Sequence, residues 1–291
     1  MPMGNVTPEG PRVPAGLHLV STPIGAARDI TLRAIDILTG ADVLAAEDTR
    51  TLRHLMEIHG IPIAGRPIVA YHDHNGAAAR PRLIAALKEG KTVAYTSEAG
   101  TPLVADPGFQ LARAAIQEGL PVLAAPGASA VLCALTVSGI ASDRFTFMGF
   151  LPNKSSARKS VLREVRGIPS SLIFYESPRR LGASLKEMRD CLGADRYAAV
   201  CRELTKKFEE VTRGTLEELA AGFAERSVKG EIVVVVDRGK TAVVSAETLG
   251  QALTVALQTL SVKAASILVA ERFGLSKREA YQMALKIGAT K

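Results

Sequence analysis

The sequence has no tryptophan, and aromatic residues make up only 4% of its 291 residues. Hydrophobic residues nevertheless make up 47% and charged residues 22%, which is ordinary for a globular protein and excludes an intrinsically disordered chain. The cores must therefore consist mainly of Ala, Leu, Val and Ile. Because the chain is longer than a typical single core, we expect two domains, or two domains and an appendage.

Cysteine is scarce as well. The three cysteines, Cys133, Cys191 and Cys201, include no Cys-x-x-Cys pair, so the sequence offers neither a disulfide framework nor a zinc ribbon. This favours a reducing compartment, and we expect a cytoplasmic protein. Residues 1–15 contain no apolar run, which predicts a disordered tail rather than a secretory signal.

One uncharged stretch, residues 120–141, is long enough to suggest a membrane helix. Prolines at 121 and 126 and glycines at 127 and 139 interrupt it. These residues predict instead a buried strand at 121–124, a turn, and a buried helix at 129–137, so we expect no membrane association.

Several common catalytic motifs are absent. No two glycines are separated by a single residue, which excludes the dinucleotide fingerprint G-x-G-x-x-G. The only glycine pair at P-loop spacing is followed by Arg66 rather than lysine. The sequence has no H-E-x-x-H and no G-x-S-x-G, and His72 and His74 form only a weak metal signal. We therefore expect no metal site.

The first half of the chain alternates apolar segments with amphipathic ones, which predicts a mostly parallel sheet covered by helices on both faces. A strand at 145–150 then leads out of this part, and the last fifty residues are helical in pattern. The expected fold class is α/β, with a tail at 1–15, an N-terminal α/β domain at 16–150, a second α/β domain at 151–240 and a helical extension at 241–291.

Three turns rich in Pro, Gly, Ser and Thr follow predicted strands, at 21–25, 97–102 and 125–129. In a parallel sheet, ligands bind beyond the carboxyl ends of the strands, where such turns gather. Small residues let a flat ligand approach the backbone closely. Together the three turns favour a pocket for a ligand without a polyphosphate.

Positive charge is concentrated in the middle of the chain. Residues 149–213 carry a net charge of +6, whereas residues 1–148 carry −1. The densest run, at 154–166, indicates contact with a polyanion, although a solvated helix face is an equal alternative. Because aromatics are few, phosphate contacts would dominate over base stacking.

Three further charged clusters lie at predicted strand ends, at 46–50, 174–180 and 202–210. In the first cluster, two adjacent carboxylates, Glu47 and Asp48, precede Arg50. Charges crowded at strand ends are typical of functional sites. The alternative is structural, with Asp48 as the N-cap of a helix and Arg50 as its ion-pair partner.

Seven segments occur in an order that resembles the tetrapyrrole-methylase superfamily of S-adenosylmethionine-dependent methyltransferases. They are STPIGAARDITLRAIDIL, AEDTR, SEAGTPLVADPG, PGASA, GFLP, FYESPRRL and RELTKKFEE. Within the superfamily they are most similar to members that methylate the ribose 2′-oxygen of a decoding-region cytidine in small-subunit rRNA. The resemblance implies two α/β domains with the cofactor in the cleft between them, and a homodimer.

The resemblance also implies which residues bind S-adenosylmethionine. They are Pro23, Ile24, Gly25, Ser97, Ala99, Gly100, Thr101, Pro126, Gly127, Ser129, Phe150, Leu204 and Ile232. The sequence departs from the family pattern at Glu98, where aspartate is usual, and at Ser21, Ala26 and Arg179. We carry over no contact that depends on those four side chains.

Methyl transfer to a ribose hydroxyl is an in-line displacement that requires a group to accept the hydroxyl proton. The candidates for this role are Glu47, Asp48, Glu176 and Lys206. The candidates for holding the RNA are Arg50, Lys154, Arg158, Lys159 and Arg163. The reaction requires no metal.

Two other functions remain open from the sequence. One is a methyltransferase of the same fold that acts on a tetrapyrrole or another small molecule. The other is a non-enzymatic RNA-binding module, which would bind RNA without the cofactor. The sequence also leaves open whether the RNA partner is naked small-subunit rRNA or the assembled 30S subunit.

Overall fold

The computed structural model describes residues 13–239, 246–273 and 277–288. The chain divides after Gly239 into two compact units. Two β-sheets lie in the first unit, and the second unit is helical. Residues 1–12 of the predicted tail lie outside the described residues.

The first sheet has five parallel strands in the order β3-β2-β4-β1-β5. Its strands are β1 (Gly16–Val20), β2 (Val43–Ala46), β3 (Ile68–Ala70), β4 (Thr92–Thr96) and β5 (Val122–Ala125). A 3-10 helix at Ala27–Asp29 and the helices α1 (Leu32–Gly40), α2 (Thr49–Ile58), α3 (Gly76–Lys88), α4 (Phe109–Gln117) and α5 (Ala130–Ser138) follow these strands. Every residue of β2 and β4 is buried, which explains their uninterrupted apolar and small-residue sequences.

This strand order places the carboxyl ends of β2, β4, β1 and β5 side by side. The three glycine- and proline-rich turns follow β1, β4 and β5, and the segment 46–50 follows β2. Four segments that are far apart in sequence therefore meet at one edge of the sheet, as the parallel arrangement predicts.

The second sheet is mixed, with the order β6-β7-β10-β8-β9, and only its β6 and β7 pair in parallel. Its strands are β6 (Phe145–Phe150), β7 (Ser171–Glu176), β8 (Tyr197–Arg202), β9 (Glu210–Thr215) and β10 (Ile232–Val236). Its helices are α6 (Ser155–Val165), α7 (Leu181–Leu192) and α8 (Leu216–Gly222). The α/β fold class is confirmed.

The structure corrects the expected position of β6. We expected this strand to end the first α/β domain, but it pairs with β7 in the second sheet. Helix α5 also packs on the second sheet, where Val131 and Leu135 share a core with Ile173 and Val233. A strand pattern identifies a strand but not its neighbour, so the sequence alone could not assign β6 to a sheet. The domain boundary at residue 150 stays a prediction.

The predicted start of α4 is wrong. The Asp-Pro pair at 106–107 predicts a helix that starts at Pro107 with Asp106 as its N-cap, but the helix begins at Phe109 with Gly108 before it. The Asp106 carboxylate instead accepts hydrogen bonds from the backbone N–H groups of Leu103 and Gly108. It therefore organises the turn that precedes the helix.

The second unit contains three helices, α9 (Ala246–Ala256), α10 (Val262–Phe273) and α11 (Lys277–Gly288). Their shared core includes Leu249, Leu253, Ala265, Val269 and Ala284. The break at Gly274-Leu-Ser276 predicts Ser276 as the N-cap of the last helix, but this residue lies outside the described residues. In the described part of the chain, no helix has the length and apolar character needed to cross a bilayer.

Candidate active site

A cavity of about 720 Å³ opens where the strand ends of the first sheet face β7, β8 and β10 of the second. This volume suits a ligand of nucleoside size. Most of the predicted cofactor residues line it. They are Pro23, Ile24, Gly25, Ser97, Ala99, Gly100, Thr101, Ser129, Phe150, Leu204 and Ile232.

Backbone hydrogen bonds tie the three turns together. The N–H of Thr22 donates to the carbonyl of Gly100 at 3.0 Å, and the N–H of Gly100 donates to the carbonyl of Thr22 at 3.1 Å. The N–H of Ser21 donates to the carbonyl of Ala125, and the Thr101 hydroxyl donates to the carbonyl of Ala128. The turns therefore form one preorganised wall rather than three separate loops.

Two predicted cofactor residues, Pro126 and Gly127, do not line the cavity. Gly127 lies against the first turn, where an added Cβ would come within 2.8 Å of the Ser21 Cβ. The third turn therefore reaches the cavity through Ser129, while its Pro-Gly portion packs the turns against each other.

The second sheet's loop after β8 closes over the first turn. The Ala26 N–H donates to the Thr205 hydroxyl at 3.1 Å. A Cβ at Gly25 would lie 2.5 Å from Lys206 Cγ, so only glycine permits this approach. The wall made by the turns and the loop at 203–206 are thus in direct contact.

Two buried hydroxyls in the cavity wall make no hydrogen bond with the described residues. Thr22 and Thr96 line the cavity, are almost fully buried, and have Oγ1 atoms without a hydrogen-bond partner within the described residues. Buried hydroxyls are normally satisfied in native proteins. Their position indicates that a bound polar ligand, such as a nucleoside, completes their hydrogen bonding.

Glu47 follows β2 and lines the cavity beside the second turn. Its Oε2 accepts a hydrogen bond from the Glu98 backbone N–H at 3.1 Å. Burial raises the pKa of Glu47; the Glu98 N–H lowers it, and the negative charge of Asp106 raises it further. Glu47 is thus a stronger base than an exposed glutamate.

Asp48 and Arg50 adopt the structural alternative. Asp48 is the N-cap of α2 and accepts from the Arg50 N–H at 2.8 Å, while Arg50 Nη2 lies 2.7 Å from Asp48 Oδ2. The Arg50 guanidinium lowers the pKa of Asp48 to about 2. Neither residue lines the cavity, although the Arg50 side chain is 90% exposed and available to RNA.

Glu176 is a structural carboxylate. Its buried side chain accepts hydrogen bonds from the Ser177 N–H at 2.7 Å, the Arg180 Nε at 2.9 Å and the Ser184 hydroxyl at 2.5 Å. Glu176 lines the cavity, but both of its oxygens are already engaged, which disfavours it as a proton acceptor; that role stays a prediction.

Lys206 lines the cavity but is paired with two carboxylates. Its Nζ lies 2.8 Å from Glu203 and 2.7 Å from Glu231. Burial lowers the pKa of Lys206, but these two hydrogen-bonded carboxylates outweigh it and raise the pKa above its usual value. This pairing favours the charged ammonium and disfavours Lys206 as the proton acceptor, a role that stays a prediction.

The basic run forms α6, and its cations differ in orientation. Arg158 is buried, and its Nε lies 2.5 Å from Glu187 Oε2, so its prediction as an RNA contact is wrong. Lys154 and Arg163 are exposed and Lys159 is half-buried. The 3.6-residue helical period turns one of these cations inward and leaves the others accessible.

Sequence reasoning missed two parts of the cavity wall. Helix α2 contributes a stripe of Thr51, His54, Leu55 and Ile58, and β7 contributes Tyr175. The i, i+3, i+4, i+7 spacing on α2 was visible in the sequence but does not show which side the helix presents. Among the described residues, no group of three or more His, Cys, Asp or Glu residues is arranged to bind a metal ion.

Family comparisons agree with this geometry. The model for tetrapyrrole (corrin/porphyrin) methylases matches residues 16–220, and the model of the RsmI C-terminal HTH domain matches residues 243–288. Ribosomal RNA small subunit methyltransferase I of Mesorhizobium japonicum is 52% identical, covering 79% of this chain and 77% of its own. The enzyme of the same name from Haemophilus influenzae is 41% identical, covering 92% and 96%.

Solved structures share the fold at low identity. Diphthine synthase has a TM-score of 0.59 and 18% identity, covering 76% of this chain and 89% of its own. Uroporphyrin-III C-methyltransferase from Thermus thermophilus, complexed with S-adenosylhomocysteine, has a TM-score of 0.53 and 20% identity, covering 76% and 96%. The chain therefore belongs to the tetrapyrrole methylases and, among them, to the family of ribosomal RNA small subunit methyltransferase I.

Proposed function

We propose that the protein methylates small-subunit rRNA with S-adenosylmethionine as methyl donor, and that the acceptor is the ribose 2′-oxygen of a decoding-region cytidine. The main support is the cavity itself, in which three turns joined by hydrogen bonds lie beside the base Glu47. The rRNA substrate is supported by relatives named for that activity, one of which covers 92% of this chain.

The residues present fit the cofactor. The two unpartnered hydroxyls of Thr22 and Thr96 offer hydrogen bonds to a polar nucleoside, and Leu204 and Ile232 offer apolar contacts. When bound, S-adenosylmethionine supplies an electrophilic methyl group on a sulfonium. The wall formed by the three turns orients it, because the turns are fixed to each other before any ligand arrives.

Glu47 is the residue that we propose to accept the hydroxyl proton. Its carboxylate is held by the Glu98 N–H, and its raised pKa brings its basicity closer to neutral pH. Asp48 is a weaker base because Arg50 neutralises it. The oxygens of Glu176 are occupied and Lys206 is protonated, so neither competes for this role.

We assign RNA binding to cations outside the cavity that are exposed or, for Lys159, half-buried. Lys154, Lys159 and Arg163 belong to the basic segment around α6, and Arg50 is in the first turn of α2, a helix that lines the cavity. The helix-turn-helix match of the second compact unit also favours a nucleic-acid partner. Because the substrate would be ribosomal, we expect the protein to act in the cytoplasm, and the homodimer remains part of the proposal.

The test is methyl transfer from labelled S-adenosylmethionine to naked small-subunit rRNA and to assembled 30S subunits, followed by mass mapping. We expect one labelled cytidine whose methyl group resides on the ribose. A methyl group on a base contradicts the 2′-oxygen assignment. Transfer to a tetrapyrrole but not to RNA would favour the small-molecule alternative, and RNA binding without cofactor binding would favour the non-enzymatic one.

A further inference from the structure

Aromatic side chains are rare in this protein, yet three of them cluster at the cavity. The rings of Phe147 and Tyr175 lie 4.9 Å apart, and those of Phe150 and Tyr175 lie 5.4 Å apart, both with edge-to-face geometry. The chain has only eight phenylalanines and five tyrosines. We call Phe147, Tyr175 and Phe150 the aromatic cluster.

Phe150 is the most exposed member of the aromatic cluster. Phe150 lines the cavity and is 60% exposed, whereas Phe147 and Tyr175 are half-buried beneath it. An exposed phenylalanine ring forgoes the free energy that burial would provide. Tyr175 packs against this ring in edge-to-face geometry, and the exposed fraction of Phe150 leaves ring surface available to a ligand in the cavity.

A local irregularity in β6 holds Phe150 in this position. The pairing of β6 with β7 shifts between Phe147 and Phe150, and Gly149 between them has φ +63°. A bulge of this kind commonly re-aims a side chain next to an active site. A Cβ at Gly149 would meet nothing within 4 Å, so this glycine is needed for its backbone conformation rather than for space.

The position of Phe150 along the chain connects the cavity to the basic segment. Phe150 is the last residue of β6. Four residues later comes the exposed Lys154, which directly precedes α6, and α6 carries Lys159 and Arg163. A strand of RNA held by these cations would therefore pass close to the ring. Stacking on an aromatic ring is a common way to hold a base out of its own stack.

We propose that Phe150, supported by Tyr175, is the stacking platform for the base of the target nucleotide. This inference rests on the proposed function, because it takes the RNA as substrate. It departs from the family resemblance, which assigns Phe150 to the cofactor. Stacking is tolerant of base identity, so Phe150 would hold the nucleotide in place while other groups select it.

The test compares four variants with the wild type, all as full-length protein, using 30S subunits or rRNA, whichever the wild type methylates. In F150A we expect kcat/KM for the RNA to fall about tenfold to a hundredfold, which is the usual value of one base-aromatic stack. The Kd for S-adenosylmethionine, measured by calorimetry, should change less than about twofold. In F150W, the aromatic ring is retained, so kcat/KM should return from the low F150A value toward that of the wild type.

The matched control is F145A, because Phe145 is on the same strand, is 42% exposed and does not line the cavity. We expect F145A to behave as wild type, and G149A to lower kcat/KM as F150A does by turning the ring away. Weaker cofactor binding in F150A would overturn the proposal and return Phe150 to the cofactor. Unchanged kinetics would overturn it too. An inactive wild type would instead overturn the proposed function itself.

Discussion

At the residue scale, the clearest distinction is among the carboxylates near the cavity. Glu47, Asp48 and Glu176 are all acids at strand ends, but their partners differ. Glu47 has one backbone donor, Asp48 has an arginine, and Glu176 has an arginine, a serine hydroxyl and a backbone N–H. Of these three acids, Glu47 is the one that lines the cavity with a single protein donor on its carboxylate within the described residues.

Replacing Glu47 with glutamine should therefore slow methyl transfer and leave the binding of S-adenosylmethionine intact. For E47Q we expect kcat to fall roughly 100-fold to 10,000-fold, the usual contribution of a general base. The Kd for S-adenosylmethionine should be unchanged by calorimetry. The control is E57Q on the exposed face of α2. An active E47Q enzyme would remove Glu47 from the mechanism.

The raised pKa of Glu47 also predicts the direction of the pH dependence. Burial, the main cause, favours the protonated form, so the carboxylate loses its proton at a pH above the usual 4.5. A base acts only when deprotonated. We expect kcat to rise with pH through this raised pKa, and we expect the acidic limb to disappear in E47Q. A flat profile from pH 4.5 to neutrality would contradict this assignment.

At the element scale, α6 separates a structural cation from cations on the surface. Removing the surface pair in K159A/R163A should weaken RNA binding and reduce the slope of log K against log salt by about two. Cofactor affinity should not change. The control is K88A/R113A, which removes two exposed cations from the first half. An unchanged salt slope would exclude α6 from the RNA interface.

The buried ion pair beneath the same helix should instead affect stability. Burial raises the pKa of Glu187, but hydrogen bonds from Arg158 and Ser155 outweigh it and hold the pKa below its usual value. R158A leaves this carboxylate buried without its ion-pair partner, bonded only by the Ser155 hydroxyl, and we expect a loss of about 3–5 kcal/mol in the free energy of unfolding. Chemical denaturation at pH 7 measures it.

The pH dependence of this pair has a definite sign. Because the pKa of Glu187 is lowered by folding, its stabilisation is present above the unfolded value of about 4.5 and is lost as pH falls through the folded value. Wild type and R158A should therefore converge in stability in acid. A constant difference between them down to pH 2 would contradict this account.

At the scale of the whole molecule, the chain divides after Gly239 into two compact units with separate cores. We expect a chain ending at Gly239 to fold and to bind S-adenosylmethionine with unchanged affinity, because every residue that lines the cavity precedes that point. RNA affinity should fall if the helical unit holds the substrate. Circular dichroism, calorimetry and filter binding measure these three properties, and loss of cofactor binding would contradict the division.

The sequence by itself determined the parallel first sheet and the meeting of the three turns at its edge. Alternating apolar and amphipathic segments predicted the parallel first sheet, and because parallel strands end at one edge, the three turns had to meet. The sequence did not reveal β9, where Glu210–Thr215 is a partly exposed strand that mixes charged and polar residues with a single valine. It also did not reveal that β6 pairs with β7, because a strand's pattern does not specify its partner.

Only the tertiary structure decided which charged groups are free to act. Arg158, Glu176 and Lys206 look like functional residues in the sequence, but each is engaged by a partner 25 or more residues away or buried among several donors. The direction of Phe150 likewise depends on a bulge against β7. Local patterns determine helices and strands because backbone preferences are local, whereas burial and pairing depend on contacts between distant segments.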